Sequence, residues 1–385
     1  MQNRNEKFVL YIILFLIFIS IHMQFPVFTP LAVSLGAGSL LVGIMLSATS
    51  FVNLTGNMIA GSYIDRYGSK MFIVFPLFLL SISLFAHTFV VNTTTLFILR
   101  IINGFVLAFL TPACMTLLAS FAKNSQSQSK NMAMNTFMVT LAMAVAPVIG
   151  GFIGERFGAD GAYYVISFTT GIAFLLSIFY LSQPRVAIQR GMNRTGMLQL
   201  FFYPPLLPVF LTGFAIMFSQ GTLMYELPFL SIEQGMSKSS VGQMAGVIGI
   251  GTLLILSFIT VHRISAKVRT LFGLCIMAGA LCWIMILEGI PSFGSLILFG
   301  IASGLIFPAL MTLVVENINE GDRGKAFAFL SAVFSVGTIS SPFIAGIIRV
   351  HISPFYVAWL VMMLIITMLG LIFITSEKSD QVVRS

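Results

Sequence analysis

The sequence predicts an all-α polytopic membrane protein: twelve transmembrane helices in two pseudo-symmetric six-helix bundles. Three observations carry this. First, the chain has 385 residues, of which 58% are hydrophobic and only 8% charged. Soluble domains carry roughly a quarter charged residues, so this chain lacks the means to build a water-facing surface. Second, apolar runs recur, each long enough to cross a hydrocarbon core about 30 Å thick. Third, segments of the first half reappear in the second.

Twelve apolar runs fall at 8–30, 40–62, 70–92, 95–119, 131–154, 161–182, 203–231, 240–261, 270–289, 293–316, 326–349 and 353–375. In lipid each must satisfy its own backbone hydrogen bonds, which makes each a helix. The first run has no small-residue cleavage site and reads as a retained helix. Cys114, Cys275 and Cys282 all lie inside apolar runs, as small packing residues rather than a disulfide framework. Pro26, Pro112, Pro147, Pro308 and Pro342 are expected to bend their helices around a central site. The longest polar stretch, 183–202, contains "QPRVAIQRGMNRTGMLQ" and reads as a linker between bundles 1–182 and 203–385.

The net charge of +8 does not indicate nucleic acid, because the basic residues are spread over loops. They set topology instead. With both termini on one side, all but four of the 20 Lys and Arg residues fall on that side. Arg156, Lys238 and Arg349 lie opposite, and Arg100 lies within a span. Both termini are therefore expected in the cytoplasm, and the chain in a bacterial cytoplasmic (inner) membrane.

The duplication is direct. "GFVLAFLTPACMTLL" (104–118) recurs as "GIASGLIFPALMTLV" (300–314), and "APVIGGFI" (146–153) recurs as "SPFIAGII" (341–348). The two offsets differ by a single residue. Internal repeats of this kind mark secondary transporters.

Three further stretches resemble motifs of the major facilitator superfamily, and within it the twelve-helix drug:proton antiporters. "GSYIDRYGSK" (61–70) is similar to that family's loop between helices two and three, matching at Gly61, Asp65, Arg66, Gly68 and Lys70. Ser69 stands where a second basic residue is usual. "RIING" (100–104) resembles the helix-four motif, with Asn103 in place of Gln. "AMAVAPVIGG" (142–151) resembles the helix-five antiporter motif at Pro147, Gly150 and Gly151, while Ala142 and Ala146 replace its first two glycines. The resemblance implies a proton-coupled exporter (antiporter) of small amphipathic compounds working by alternating access. It also implies that the 61–70 loop is a conformational latch and that Arg100 serves proton coupling. Physically, Gly61 would let its helix approach a neighbour. Asp65 would open the next helix, against the positive end of its dipole. Arg66 and Lys70 would also mark topology.

From the residues themselves, Glu226 is the acid set clearly within a span, and a buried carboxylate can titrate near neutrality. Arg100 in a helix normally faces a bundle interior or a watery cavity, or else snorkels to the interface. His22 is a titratable group or a neutral packing residue. Gln24, Asn53, Asn57, Asn103, Asn135 and Tyr225 are expected to line a cavity. Small-molecule substrate, protons and the bilayer are the expected partners, and the chain is expected to be a monomer. No cofactor or metal is expected: the four His and three Cys do not pair, and no Walker-type phosphate loop is present. Without a Ser/His/Asp set or paired acids, an enzyme is not expected. A transporter of a defined metabolite (sugar, amino acid or metallophore) is the alternative within transport. A non-transporting membrane sensor on the same scaffold is the alternative outside it.

Overall fold

A computed structural model describes the backbone of residues 2–122, 124–182, 203–258, 264–287, 291–318 and 322–384. Within these it describes the side chains of 5–371 apart from residue 125. The expected linker 183–202 lies outside the described residues. The helices are α1 Gln2–Met23, α2 Phe25–Ser34, α3 Ser39–Tyr67, α4 Met71–Ala86, α5 Thr93–Ser120, α6 Ser125–Tyr180, α7 Leu207–Glu233, α8 Lys238–Ser257, α9 Ala266–Ile286, α10 Phe293–Asn317, α11 Arg323–Ile348 and α12 Pro354–Arg384. No strand occurs among the described residues.

Eleven helical segments among the described residues are long and apolar enough to span a membrane. One of them, Gln126–Tyr180, has 55 residues, about 80 Å at 1.5 Å per residue and more than twice a hydrocarbon core. It breaks at Gly158, whose φ of 74° and ψ of −178° are open to glycine and strained for other residues. The break makes two antiparallel legs, and the span count becomes twelve.

The first span is also broken. α1 ends at Met23 and α2 begins at Phe25. Pro26 has no N–H to give the carbonyl of His22, so the ladder fails there. Gln24 bonds to both pieces: its Nε2 donates to the Ser20 carbonyl of α1 at 3.0 Å, and its own carbonyl accepts from the Phe28 N–H of α2 at 2.8 Å.

Alternation of the spans puts both termini at one end of the bundle, here the terminal end; the α2–α3, α7–α8 and α11–α12 turns lie at the far end. Each half has its own core, one around Leu10, Leu77 and Leu110, the other around Phe210, Phe299 and Leu310.

The duplicated segments make duplicated contacts. Gly104 of α5 lies against the Thr49 carbonyl of α3, and its repeat Gly300 of α10 lies against the Ile248 carbonyl of α8. A side chain at either glycine would overlap that carbonyl oxygen. Between the halves the pattern repeats. Gly242 of α8 meets the carbonyl of Pro147, and Gly43 of α3 meets the carbonyl of Pro342. Gly151 meets Lys238, and Gly346 meets Ser39. Two seams result, α6 on α8 and α11 on α3, both near the far end. Small residues let helix backbones come this close.

Burial follows the seams. On the first leg of α6, residues 133, 134, 136 and 137 are exposed, whereas 140, 142, 144, 146, 147, 150 and 151 are buried. The halves thus pack tightly at the far end and part toward the terminal end.

Two expectations for the 61–70 stretch are corrected. α3 runs on to Tyr67, so Asp65 sits in its last turn and does not open the next helix, which starts at Met71. The polar turn "GSYIDRY" continues the helix beyond the apolar run instead of ending it. The stop comes at Gly68, with φ 88°, whose N–H bonds the Ile64 carbonyl at 2.8 Å. Gly61 makes no close approach, since no atom lies within 4 Å of where its Cβ would be.

Candidate functional site

A cavity of about 280 Å³ lies between the halves. Its wall takes residues between Ile21 and Thr29 from the α1–α2 break, Leu46 and Thr49 from α3, and Arg100, Asn103 and Leu107 from one face of α5. Met143 and Pro147 come from α6, Gln220 and Met224 from α7, and Ala245 from α8. Both halves therefore contribute.

Arg100 is held from two sides. Its Nη1 donates to Gln24 Oε1 at 3.0 Å, and its guanidinium lies 4.2 Å from the centroid of the Phe28 ring. Both partners come from the α1–α2 break. Its Nε is buried with no hydrogen-bond partner among the described residues. One turn on, Asn103 is 2% exposed, and neither its Nδ2 nor its Oδ1 has a partner among those residues. His22 lines the same wall and stacks on Phe18 at 6.5 Å.

Glu226 lies elsewhere, toward the far end. It is the only carboxylate buried among the described residues. Its cation is Arg349, just past the end of α11: Arg349 Nε is 3.0 Å from Glu226 Oε1. Arg349 Nη1 also bonds Glu233 Oε1 at 2.7 Å, and the guanidinium covers the Phe229 ring at 4.6 Å. Glu226, Phe229 and Glu233 share one face of α7 by their spacing, so one arginine meets all three. Next to Glu226, the Tyr225 hydroxyl donates to the Ser39 carbonyl of the other half at 2.8 Å.

Between cavity and ion pair sits an apolar plug drawn from both halves, with Phe28, Val42, Met45, Tyr225, Phe229 and Ala345 at its centre. Phe28 is covered by Arg100 and Phe229 by Arg349. On the other seam, Glu155 accepts from the Lys238 N–H at 2.8 Å and the Gly154 carbonyl accepts from Lys238 Nζ at 3.2 Å. A carboxylate there also meets the positive end of α8.

Of the residues expected to line a cavity, Gln24 and Asn103 do so. Tyr225 is buried in the plug instead. Asn53 Nδ2 bonds the Gly104 carbonyl at 3.3 Å and Asn57 Nδ2 bonds Asn53 Oδ1 at 3.0 Å, so both serve the α3–α5 contact. Asn135 lies on the first leg of α6, away from this wall, and its Oδ1 has no partner among the described residues. Pro147 lines the cavity, Gly150 abuts the Met23 carbonyl at the α1 break, and Gly151 abuts α8. Asp65 and Arg66 are exposed at the terminal end, and Lys70 Nζ bonds the Ile178 carbonyl at 3.3 Å.

Sequence reasoning misses Arg349, Gln220 and His87. His87 is 1% exposed, stacks on Tyr163 at 4.6 Å, and bonds the Ser83 carbonyl through Nδ1 at 2.7 Å. Its place in an apolar run is the available signal. Among the described residues no group of three or more His, Cys, Asp or Glu side chains is placed to hold a metal.

A cavity walled by two duplicated six-helix halves, sealed at one end and parted at the other, defines a membrane transporter. The sequence profile of the Major Facilitator Superfamily matches residues 10–320 and 270–384, and the chain belongs to that family. It is 24% identical to Multidrug resistance protein 2 of Bacillus subtilis, covering 98% of each chain. It is also 24% identical to the quinolone resistance protein NorA of Staphylococcus aureus, over 98% of this chain and 97% of that protein. Among solved structures, a mutant of the nucleoside transporter NupG superposes with a TM-score of 0.77 at 16% identity, covering 96% of this chain and 99% of that one.

Proposed function

We propose that this protein is a proton-coupled exporter of small amphipathic compounds, working by alternating access as a monomer in a bacterial cytoplasmic membrane. The terminal end faces the cytoplasm in this reading, which the one-sided distribution of Lys and Arg supports. The multidrug and quinolone resistance relatives support export.

The observation that carries the coupling is the buried Glu226–Arg349 pair beside the Tyr225–Ser39 bond that joins the halves. With Glu226 ionised, Arg349 is shared by two carboxylates and the plug is held. A proton on Glu226 removes the charge that Arg349 Nε faces, while Glu233 keeps the other side of the guanidinium. Tyr225 and Phe229, on the same helix, then release the far end. Substrate and proton act on one equilibrium only because each favours a different state.

The test uses proteoliposomes with an imposed pH gradient and an internal pH-sensitive dye. Substrate-triggered proton flux is expected in the wild type and absent in Glu226→Gln. Flux that survives in Glu226→Gln would remove Glu226 from the coupling, with His22 the next group to change.

A further inference from the structure

We infer that the cavity takes amphipathic molecules bearing a carboxylate or a comparable anionic, hydrogen-bond-accepting group, in preference to lipophilic cations. This rests on reading the cavity as the substrate site, and it narrows that reading to a chemical class.

The wall divides into two kinds of surface. Phe25, Phe28, Leu46, Leu107, Met143 and Met224 offer an apolar bed for a ring or chain. Most of the polar remainder is gathered on α5 and the α1–α2 break, with Thr49 added from α3 and Gln220 from α7, and among the described residues no carboxylate belongs to the wall. The acid that a cationic ligand would seek, Glu226, is in the plug region and already faces Arg349 at 3.0 Å. Arg100 is the charge on the wall, and its Nη1 bond to Gln24 aims it without neutralising it, because Gln24 is an uncharged amide. Gln24 is itself tied to the Ser20 carbonyl, so the guanidinium is held in place before any ligand arrives.

Arg100 Nε and the whole carboxamide of Asn103 are buried without hydrogen-bond partners among the described residues. A buried polar group left unpaired is costly, so the two donors of this pair, Arg100 Nε and Asn103 Nδ2, one turn apart on α5, call for a ligand that accepts hydrogen bonds, while Asn103 Oδ1 is left for a donor. A carboxylate answers both, with a charge-assisted bond to the guanidinium and a second bond from Asn103 Nδ2. A cationic head would meet an uncompensated positive charge in a low-dielectric site, which disfavours it strongly.

The test compares 2-naphthoate with 2-naphthylmethylammonium, which share a ring and differ in the sign of the head group. Each is dialysed to equilibrium against the purified protein in phosphatidylcholine nanodiscs, with empty nanodiscs subtracting partition into lipid. Saturable binding of the naphthoate is expected to be about tenfold tighter or more. Arg100→Gln is expected to erase that preference and Arg100→Lys to retain part of it. Equal affinities, a preference for the cation, no saturable binding of either compound, or a preference that persists in Arg100→Gln would each overturn the inference. Naphthoate preference without substrate-driven proton flux would instead count against the transport reading and leave this one standing.

Discussion

Arg349 serves two carboxylates that differ in surroundings. The Glu226 side chain is 3% exposed and that of Glu233 is 56% exposed. Exposed pairs contribute about 1 kcal/mol or less, whereas breaking a buried pair by removing one partner costs about 3 kcal/mol or more. Arg349→Met is therefore expected to lower the melting temperature markedly in detergent, and Glu233→Gln to lower it little. Combining Arg349→Met with Glu226→Gln is expected to recover much of the loss, since the stranded charge is gone. Additive effects of the two single changes in a double-mutant cycle would show that the pair is not coupled. The sequence allows half of this pair to be found. Glu226 stands out because an acid within an apolar run is rare. Arg349 does not, because it is the last residue of its apolar run and looks like an ordinary loop charge until α7 and α11 are brought together.

At the scale of the helix, hydropathy locates the spans because lipid demands it, while their ends and breaks follow other physics. Composition cannot see that α3 outruns the apolar segment and carries Asp65 in its last turn. Pro26 signals the break at Gln24, but not that the break aims Gln24 and Phe28 at Arg100. Of the seam glycines, Gly151 is legible in a motif and Gly346 in a repeat, whereas Gly43 and Gly242 stand in neither, and the partners of all four lie on helices of the other half. Their role leads to a prediction. Gly242 packs on the Pro147 carbonyl so closely that any side chain would overlap it, and backbone cannot yield as a flexible side chain can. Gly242→Val is thus expected to wedge the α6–α8 seam open. The measurement is labelling of Leu46→Cys, on the cavity wall, by a membrane-impermeant maleimide, with Cys114, Cys275 and Cys282 replaced. Labelling from the far side is expected to rise. Unchanged labelling in a folded Gly242→Val protein would mean that the seam does not seal the cavity.

For the whole molecule, the twofold repeat means that a far end closed by two equivalent seams is matched by a terminal end that must close when they open. The 61–70 turn lies at that open end. Asp65 and Arg66 are exposed there and the space beside Gly61 is empty. If the turn is a latch, Asp65 stabilises the state in which those ends are together. An interaction of about 1–2 kcal/mol changes a two-state ratio by about 5–30-fold. Spin labels at Ser62→Cys on α3 and Ser331→Cys on α11, in a background lacking the three native cysteines, report the separation of the terminal ends. A shorter distance is expected to gain population as protons are supplied. In Asp65→Asn that population is expected to fall about fivefold or more relative to the longer one. The same distance distribution with and without Asp65 would mean that these charges set topology alone, which their position on the basic side of the chain already explains.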